Sequence, residues 1–325
     1  METYSTGGNG MSKDQENRAA ANQSADLNVA PLGQRIRPYA IIAPGLLITI
    51  GIMIPFAMAI YFSLTSYSFR MPTYRFIGLQ NWIKILTNSG FWHAVRVTLV
   101  YAFSATIVEM FLGIVIGLML TNLENAFTKV LKVVLVFPLM VAPVVATIVW
   151  QLMLSNSVGI VEKLLSVFGV VGFPWHASPQ YAMMTAVMID VWVNTPFVIL
   201  LAQAGMQSLP KSPFESAQID GGSAWFNFKN LTLPMIKPSL YIALLFRLMA
   251  SLQEYAIIFG LTKGGPGDTL MNLSLTAYQT GFQYQKFGFS LPYILVLWVF
   301  INFMAKFIVG KQRKAQKIAA GTDEE

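Results

Sequence analysis

The sequence predicts an all-α, polytopic membrane protein built as a bundle of six crossing helices. Three observations carry this expectation. Hydrophobic residues make up 55% of the 325 and charged residues only 11%, and the mean hydropathy is +0.56, far above a soluble domain of this size. The apolar residues gather in runs that reach the roughly 20 residues a helix needs to cross the hydrocarbon core. Glycine, proline and charge gather between those runs, as in connecting loops.

Along the chain, residues 1–38 are polar and carry Lys13, Arg18, Arg35 and Arg37 against Glu2, Asp14, Glu16 and Asp26. With no net charge and no apolar core segment, they read as a disordered cytoplasmic tail rather than a signal peptide. Spans are expected at about 39–63, 96–120, 130–154, 181–204, 239–261 and 288–309, so that 39–309 forms one membrane domain. The first run keeps Pro44 and Pro55 and is too long for a cleaved signal. Residues 310–325 form a second, basic tail.

Six spans put both termini on one side, and the basic residues say which. On the side of the termini the tails and loops hold thirteen lysines and arginines, against seven on the other side. The positive-inside rule then makes the termini and the 205–238 loop cytoplasmic. The net charge of +7 is accounted for by topology and contact with anionic membrane lipid. No basic stripe interleaved with aromatics points to nucleic acid.

The 205–238 loop, GMQSLPKSPFESAQIDGGSAWFNFKNLTLPMIKP, is the most informative segment. Ser212 is placed to cap a short helix, with Pro213 at its first position and Glu215 three residues after the cap. Gly221 and Gly222 then supply a left-handed exit. Within it, ESAQIDG (215–221), nine residues and LTLP (231–234) resemble the EAA loop of binding-protein-dependent ABC import permeases, the carbohydrate-uptake branch. DVWVNTPF (190–197), FGLTKGGPGDT (259–269) and YQTGFQYQKFG (278–288) extend the resemblance to about 60–310.

The resemblance implies a type I importer permease in a bacterial inner membrane. Its partners would be a second homologous permease, two ATP-binding subunits, an extracytoplasmic solute-binding protein and a sugar substrate. It also implies that Glu215, Ser216, Ala217, Asp220 and Gly221 couple the bundle to an ATPase. Ser216 departs from the family's alanine, a small residue for a small one. Glu215 and Gly221 have bland roles too, as a capping acid and a C-cap glycine. GGPG at 264–267 is turn chemistry that would face the binding protein or serve as a plain connector.

Enzyme signatures are absent: the sequence has no HExxH, no GxSxG and no GxxxxGK[ST], so any ATP must be bound by another subunit. No cofactor or metal is expected. Cysteine does not occur, and His93 and His176, beside Trp92 and Trp175, lack second ligands at helical spacing and suit the membrane interface. The 17 methionines read as core filler.

Glu109, Asp190, Arg247 and Glu254 are ionisable groups within expected spans, where each costs several kcal/mol unless it meets a partner or a cavity. Asp190, Asn194 and Phe197 share one helix face by their i, i+4, i+7 spacing, and Arg247, Ser251 and Glu254 share another. Pro196 loosens the same turn. The resemblance assigns these two stripes to sugar binding, with Phe197 stacking on a sugar face. Two readings of Arg247 stand side by side: a guanidinium that selects an acidic sugar, or a buried pair with Asp190 or Glu254. Glu109 reads as a structural hydrogen-bonding group. A proton-coupled secondary transporter, with Asp190 or Glu254 carrying the proton, is the alternative to an ATP-driven importer, and a membrane enzyme using the acids is a third class.

Overall fold

The computed structural model describes residues 32–71, 73–121 and 126–319. Its helices are α1 (Leu32–Ser63), α2 (Gln80–Leu86), α3 (Ser89–Thr121), α4 (Ala126–Val136), α5 (Pro143–Met153), α6 (Ile160–Ser166), α7 (Pro179–Gln207), α8 (Ser212–Ile219), α9 (Ala224–Asn227), α10 (Leu233–Leu252), α11 (Ala256–Thr262), α12 (Leu273–Tyr278) and α13 (Phe287–Ala319). Two isolated bridges, Thr65–Phe76 and Ser68–Met71, are the β pairing among the described residues. Most of the expected 1–38 tail lies outside the described residues. Within the end of that tail, α1 already begins at Leu32, and the segment expected as a basic C-terminal tail continues α13 to Ala319.

Residues 1–59 and 60–325 form two units. In the first, the described part of α1 is apolar on every side and none of its side chains from 41 to 59 is buried, as suits a helix within hydrocarbon. In the second, α3, α7 and α10 make the centre. Tyr101, Ala102 and Ala105 of α3, Ala186 and Ile189 of α7, and Ala243 of α10 are wholly buried.

Small residues let α3 and α7 approach. A Cβ at Gly113 would stand 2.5 Å from the Cβ of Val198, and one at Gly117 3.2 Å from the Cβ of Ala202. In lipid no hydrophobic force holds two apolar helices together, so close van der Waals contact between small residues does. The four-residue spacing of Gly113 and Gly117 was the signal in the sequence for this seam.

Five helices are long and apolar enough to cross a membrane, and six result if the bent pair Thr128–Met140 and Pro143–Met153 counts as one span. That pair turns through 104°, where the sequence predicted a single run over 130–154. Pro143 explains the break: it offers no N–H and holds Ala142 extended (φ −60, ψ 135). The expected span at 239–261 is also altered. Helix runs from Ala224 to Leu252, through a π turn at Phe228–Thr232, then stops. α11 follows as a separate short helix, and the Gln151 amide of α5 donates to the carbonyls of Gly260 (3.2 Å) and Leu261 (2.7 Å) at its end.

The α3–α7 contact gives a direct test. Gly113→Ala should cost about 1–3 kcal/mol by overpacking and lower the thermal midpoint of the purified protein in detergent. Gly310→Ala, whose Cβ would meet nothing within 4 Å, should leave it unchanged.

Candidate functional site

Three helices bring charge to one buried point. Glu109 on α3 is 0% exposed and Arg247 on α10 is 5% exposed. Arg247 Nε donates to Glu109 Oε2 at 2.6 Å and Nη2 donates to Oε1 at 2.8 Å, a two-pronged charged pair. Nη2 also reaches Asp190 Oδ1 on α7 at 3.2 Å and Ser251 Oγ at 3.0 Å. The same Asp190 oxygen accepts from Asn194 Nδ2 at 2.5 Å. Two nitrogen-bound hydrogens on Nη2 serve three acceptors, so its bonds are shared. The other carboxylate oxygen of Asp190 and the Tyr101 hydroxyl, both buried, make no hydrogen bond of ordinary geometry.

The structure therefore joins Asp190, Asn194, Arg247 and Ser251, as the two stripes predicted, and adds Glu109. The partner expected for Arg247 was Asp190 or Glu254. Glu109 supplies the closer contact because it faces Arg247 from a third helix, which spacing within one helix could not reveal. The available signal was simple: 109 is the first acidic position after Asp26, and a lone acid in so apolar a stretch needs a base.

Phe197 and Glu254 stand apart from this cluster. Phe197 meets Phe246 edge to face, ring centres 6.1 Å apart. Glu254 lies past the end of α10, so it does not continue the face of Arg247 and Ser251. Its carboxylate accepts from the Ile257 N–H at 2.7 Å and caps α11, while its carbonyl accepts from the Asn272 amide. His93 Nε2 bonds the Asp268 carbonyl at 2.8 Å, tying α3 to the turn after α11. No group of three potential metal ligands occurs among the described residues.

The polar loop forms a second site. α8 begins at Ser212 with Lys211 as its N-cap, and no side chain caps it. The predicted Ser212–Glu215 capping box is therefore absent: Ser212 lies inside the helix, where its carbonyl accepts from Ser216 Oγ at 3.1 Å. The predicted exit is present. Gly221 has φ +77, its N–H bonds Gln218 O at 3.1 Å, and the Gly222 N–H bonds Ala217 O at 2.8 Å, the Schellman pattern that needs a left-handed residue.

Freed from capping, Glu215 is exposed, as are Ser216 and Asp220. Ile219, 87% exposed, and Trp225 and Phe226 stand out from the same loop. A cleft of about 780 Å³ separates α8 from the ends of α3 and α7, with Leu118, Met206, Phe214, Gln218 and Phe228 among its lining. Large exposed apolar groups on a polar loop mark an interaction surface, for protein or for membrane.

Residues 110–311 match the family described as binding-protein-dependent transport system inner membrane component. This chain belongs to that family. Among its relatives, a probable ABC transporter permease protein of Sinorhizobium fredii is 36% identical over 80% of this chain and 82% of its own length. The trehalose/maltose transport system permease protein MalF of Thermococcus litoralis is 34% identical over 74% of this chain and 81% of its own. In fold, the chain is similar to a bacterial ABC transporter involved in the import of the acidic polysaccharide alginate. That match has a TM-score of 0.74 and 21% identity, and covers 87% of this chain and 98% of the other. The protein is thus a multi-pass membrane component of a transporter.

Inside this permease the charged cluster should behave as one unit. Arg247→Met alone should cost about 3–5 kcal/mol, because it strands two buried acids, whereas Glu109→Gln should cost less, because Asp190 still pairs with Arg247. The triple variant Glu109→Gln, Asp190→Asn, Arg247→Met should recover most of that loss. Unfolding midpoints of the purified proteins measure this, and losses that simply add would refute the unit.

Proposed function

We propose that the chain is the membrane-crossing subunit through which a sugar or sugar derivative moves inward, in an importer completed by a second, homologous permease, two ATP-binding subunits and an outer solute-binding protein. The observation that carries the substrate class is the 34% identity over 74% of the chain to the trehalose/maltose permease. The ATPase coupling rests on α8, a short helix with Glu215, Ser216 and Asp220 presented outward beside Ala217 and closed by Gly221. A short helix tethered between α7 and α10, facing the ends of α3 and α7 across that cleft, can pass a partner's movement into the bundle.

The geometry favours a neutral sugar or polyol. Arg247 donates to two carboxylates, so the cluster already holds two acids for one base and has little to attract an oxyanion. Asn194 and Phe197, both half-buried on α7, remain the groups suited to a hydroxyl and a sugar face. Arg247, Asp190 and Ser251 act by holding α3, α7 and α10 in place, and Glu254 acts by capping α11. The basic residues place the termini and the α8 loop in the cytoplasm.

The test is uptake into proteoliposomes by the complete transporter with its binding protein. Sugar should accumulate only with ATP and both ATP-binding subunits. Uptake driven by a proton gradient alone would sink the proposal. Glu215→Lys and Gly221→Asp should lower ATP-driven uptake on the order of tenfold or more, as loss of a charge-assisted contact does, at equal membrane abundance.

Topology can be read separately, since the native chain has no cysteine. Cysteines placed at Ser212 and Gln316 should resist an impermeant thiol reagent in intact cells, and one at Gly265 should react. Labelling at 212 from outside would reverse the orientation.

A further inference from the structure

We propose that the seam between α2 and α13 is a binding site for an anionic phospholipid, with the headgroup in a polar cleft and an acyl chain lying along α13. The cleft, about 360 Å³, is lined by Ser66, Ser68, Asn81, Lys84, Lys286 and Phe289, among others. It is firmly built. Asn81 is buried, and its amide donates to the carbonyls of Ser63 (2.9 Å), Thr65 (2.9 Å) and Gly288 (3.2 Å), binding the turn after α1 to the start of α13. The Gly288 N–H donates to Tyr67 O at 2.8 Å. A Cβ at 288 would stand 2.7 Å from Thr65 O, so only glycine allows this approach.

The charge around the cleft is of one sign. No Asp or Glu occurs between Asp26 and Glu109, or between Asp268 and Asp323, whereas Arg70, Arg75, Lys84, Arg96 and Lys286 fall in those stretches. Neither Lys84 nor Lys286 has an acidic partner among the described residues. Arg70 reaches the same rim, its Nε donating to Gln285 Oε1 at 3.0 Å. An anion with several oxygens meets two ammonium groups and the Ser66 hydroxyl here; Ser66 Oγ accepts from the Arg75 N–H and keeps its own hydrogen, while Ser68 Oγ donates to the Gln285 carbonyl at 2.7 Å.

An apolar groove of about 420 Å³ continues along the same seam, lined by Trp82, Val296, Val299, Phe300 and Phe303. Trp82 follows Asn81 of the cleft. Phe289 of the cleft and Val296, Phe300 and Phe303 of the groove are spaced i, i+7, i+11 and i+14, so they form one stripe on α13. At 1.5 Å per residue that stripe is about 21 Å long, enough to cross one leaflet of a hydrocarbon core roughly 30 Å thick. Leu79 at the N-cap of α2, Ile83 and Leu86 within it and the neighbouring Trp92 are exposed, the pattern of a helix lying in the headgroup plane. A soluble anion would use the cleft alone. A phospholipid uses both halves, which is why the lipid is the occupant the seam fits.

Native mass spectrometry of the complete transporter, with phosphatidylglycerol and phosphatidylcholine of identical acyl chains, tests this. Phosphatidylglycerol should be retained about thirty-fold more tightly, from roughly fivefold for each lysine near an anionic headgroup. Lys84→Gln with Lys286→Gln should remove that preference. Val299→Trp, filling the groove at an exposed position, should weaken both lipids. Three outcomes would overturn the proposal: the double lysine variant keeping the preference, glycerol phosphate without acyl chains displacing phosphatidylglycerol at equal concentration, or a cysteine at Phe303 cross-linking to the second permease.

Discussion

The bundle depends on one fork: the guanidinium of Arg247, held by Glu109 from α3 and Asp190 from α7. In hydrocarbon a lone charge is costly and a well-paired one is tolerable, so the three helices can pack only where all three groups meet. The seam of Gly113 and Gly117 sets how near α3 and α7 come. The fork sets where α10 stands against them. Packing without direction and pairing with direction act on the same helices, and together they choose one arrangement.

That rigid centre explains where the chain can be irregular. The bend before Pro143, the stop at Leu252 and the π turns at Phe228–Thr232 and Gln279–Gln283 all leave backbone groups outside regular helix. In a membrane such groups must find partners inside the protein. After the stop at Leu252 they do: Gln151 meets the carbonyls ending α11, and Glu254 and Asn272 cap the starts of α11 and α12. Polar residues that look like site candidates by composition are thus partly accounted for by broken helices. This is why Glu254 serves α11 while Asp190 serves the fork.

The end of the bundle at α8 and the cleft beside α2 differ in the same physical terms. The α8 loop presents acids, small residues and three large exposed apolar side chains. The α2 cleft presents unopposed lysines above an apolar groove.

Composition and run length alone determined the class and the polar loop, because hydrocarbon admits few other solutions for so apolar a chain. The left-handed exit at Gly221 was legible for the same local reason: only the residues next to it matter. The motif pattern also placed the chain among import permeases before any contact was known. Tertiary structure decided what depends on a neighbour distant in sequence. Glu109 and Arg247 are 138 positions apart, so their pairing has no local signature. The lost capping box at Ser212, the end of α10 before Glu254 and the knot that Asn81 ties to Gly288 were likewise settled by where the helices lie against one another, since a hydrogen bond is made only where the folded chain brings donor and acceptor together.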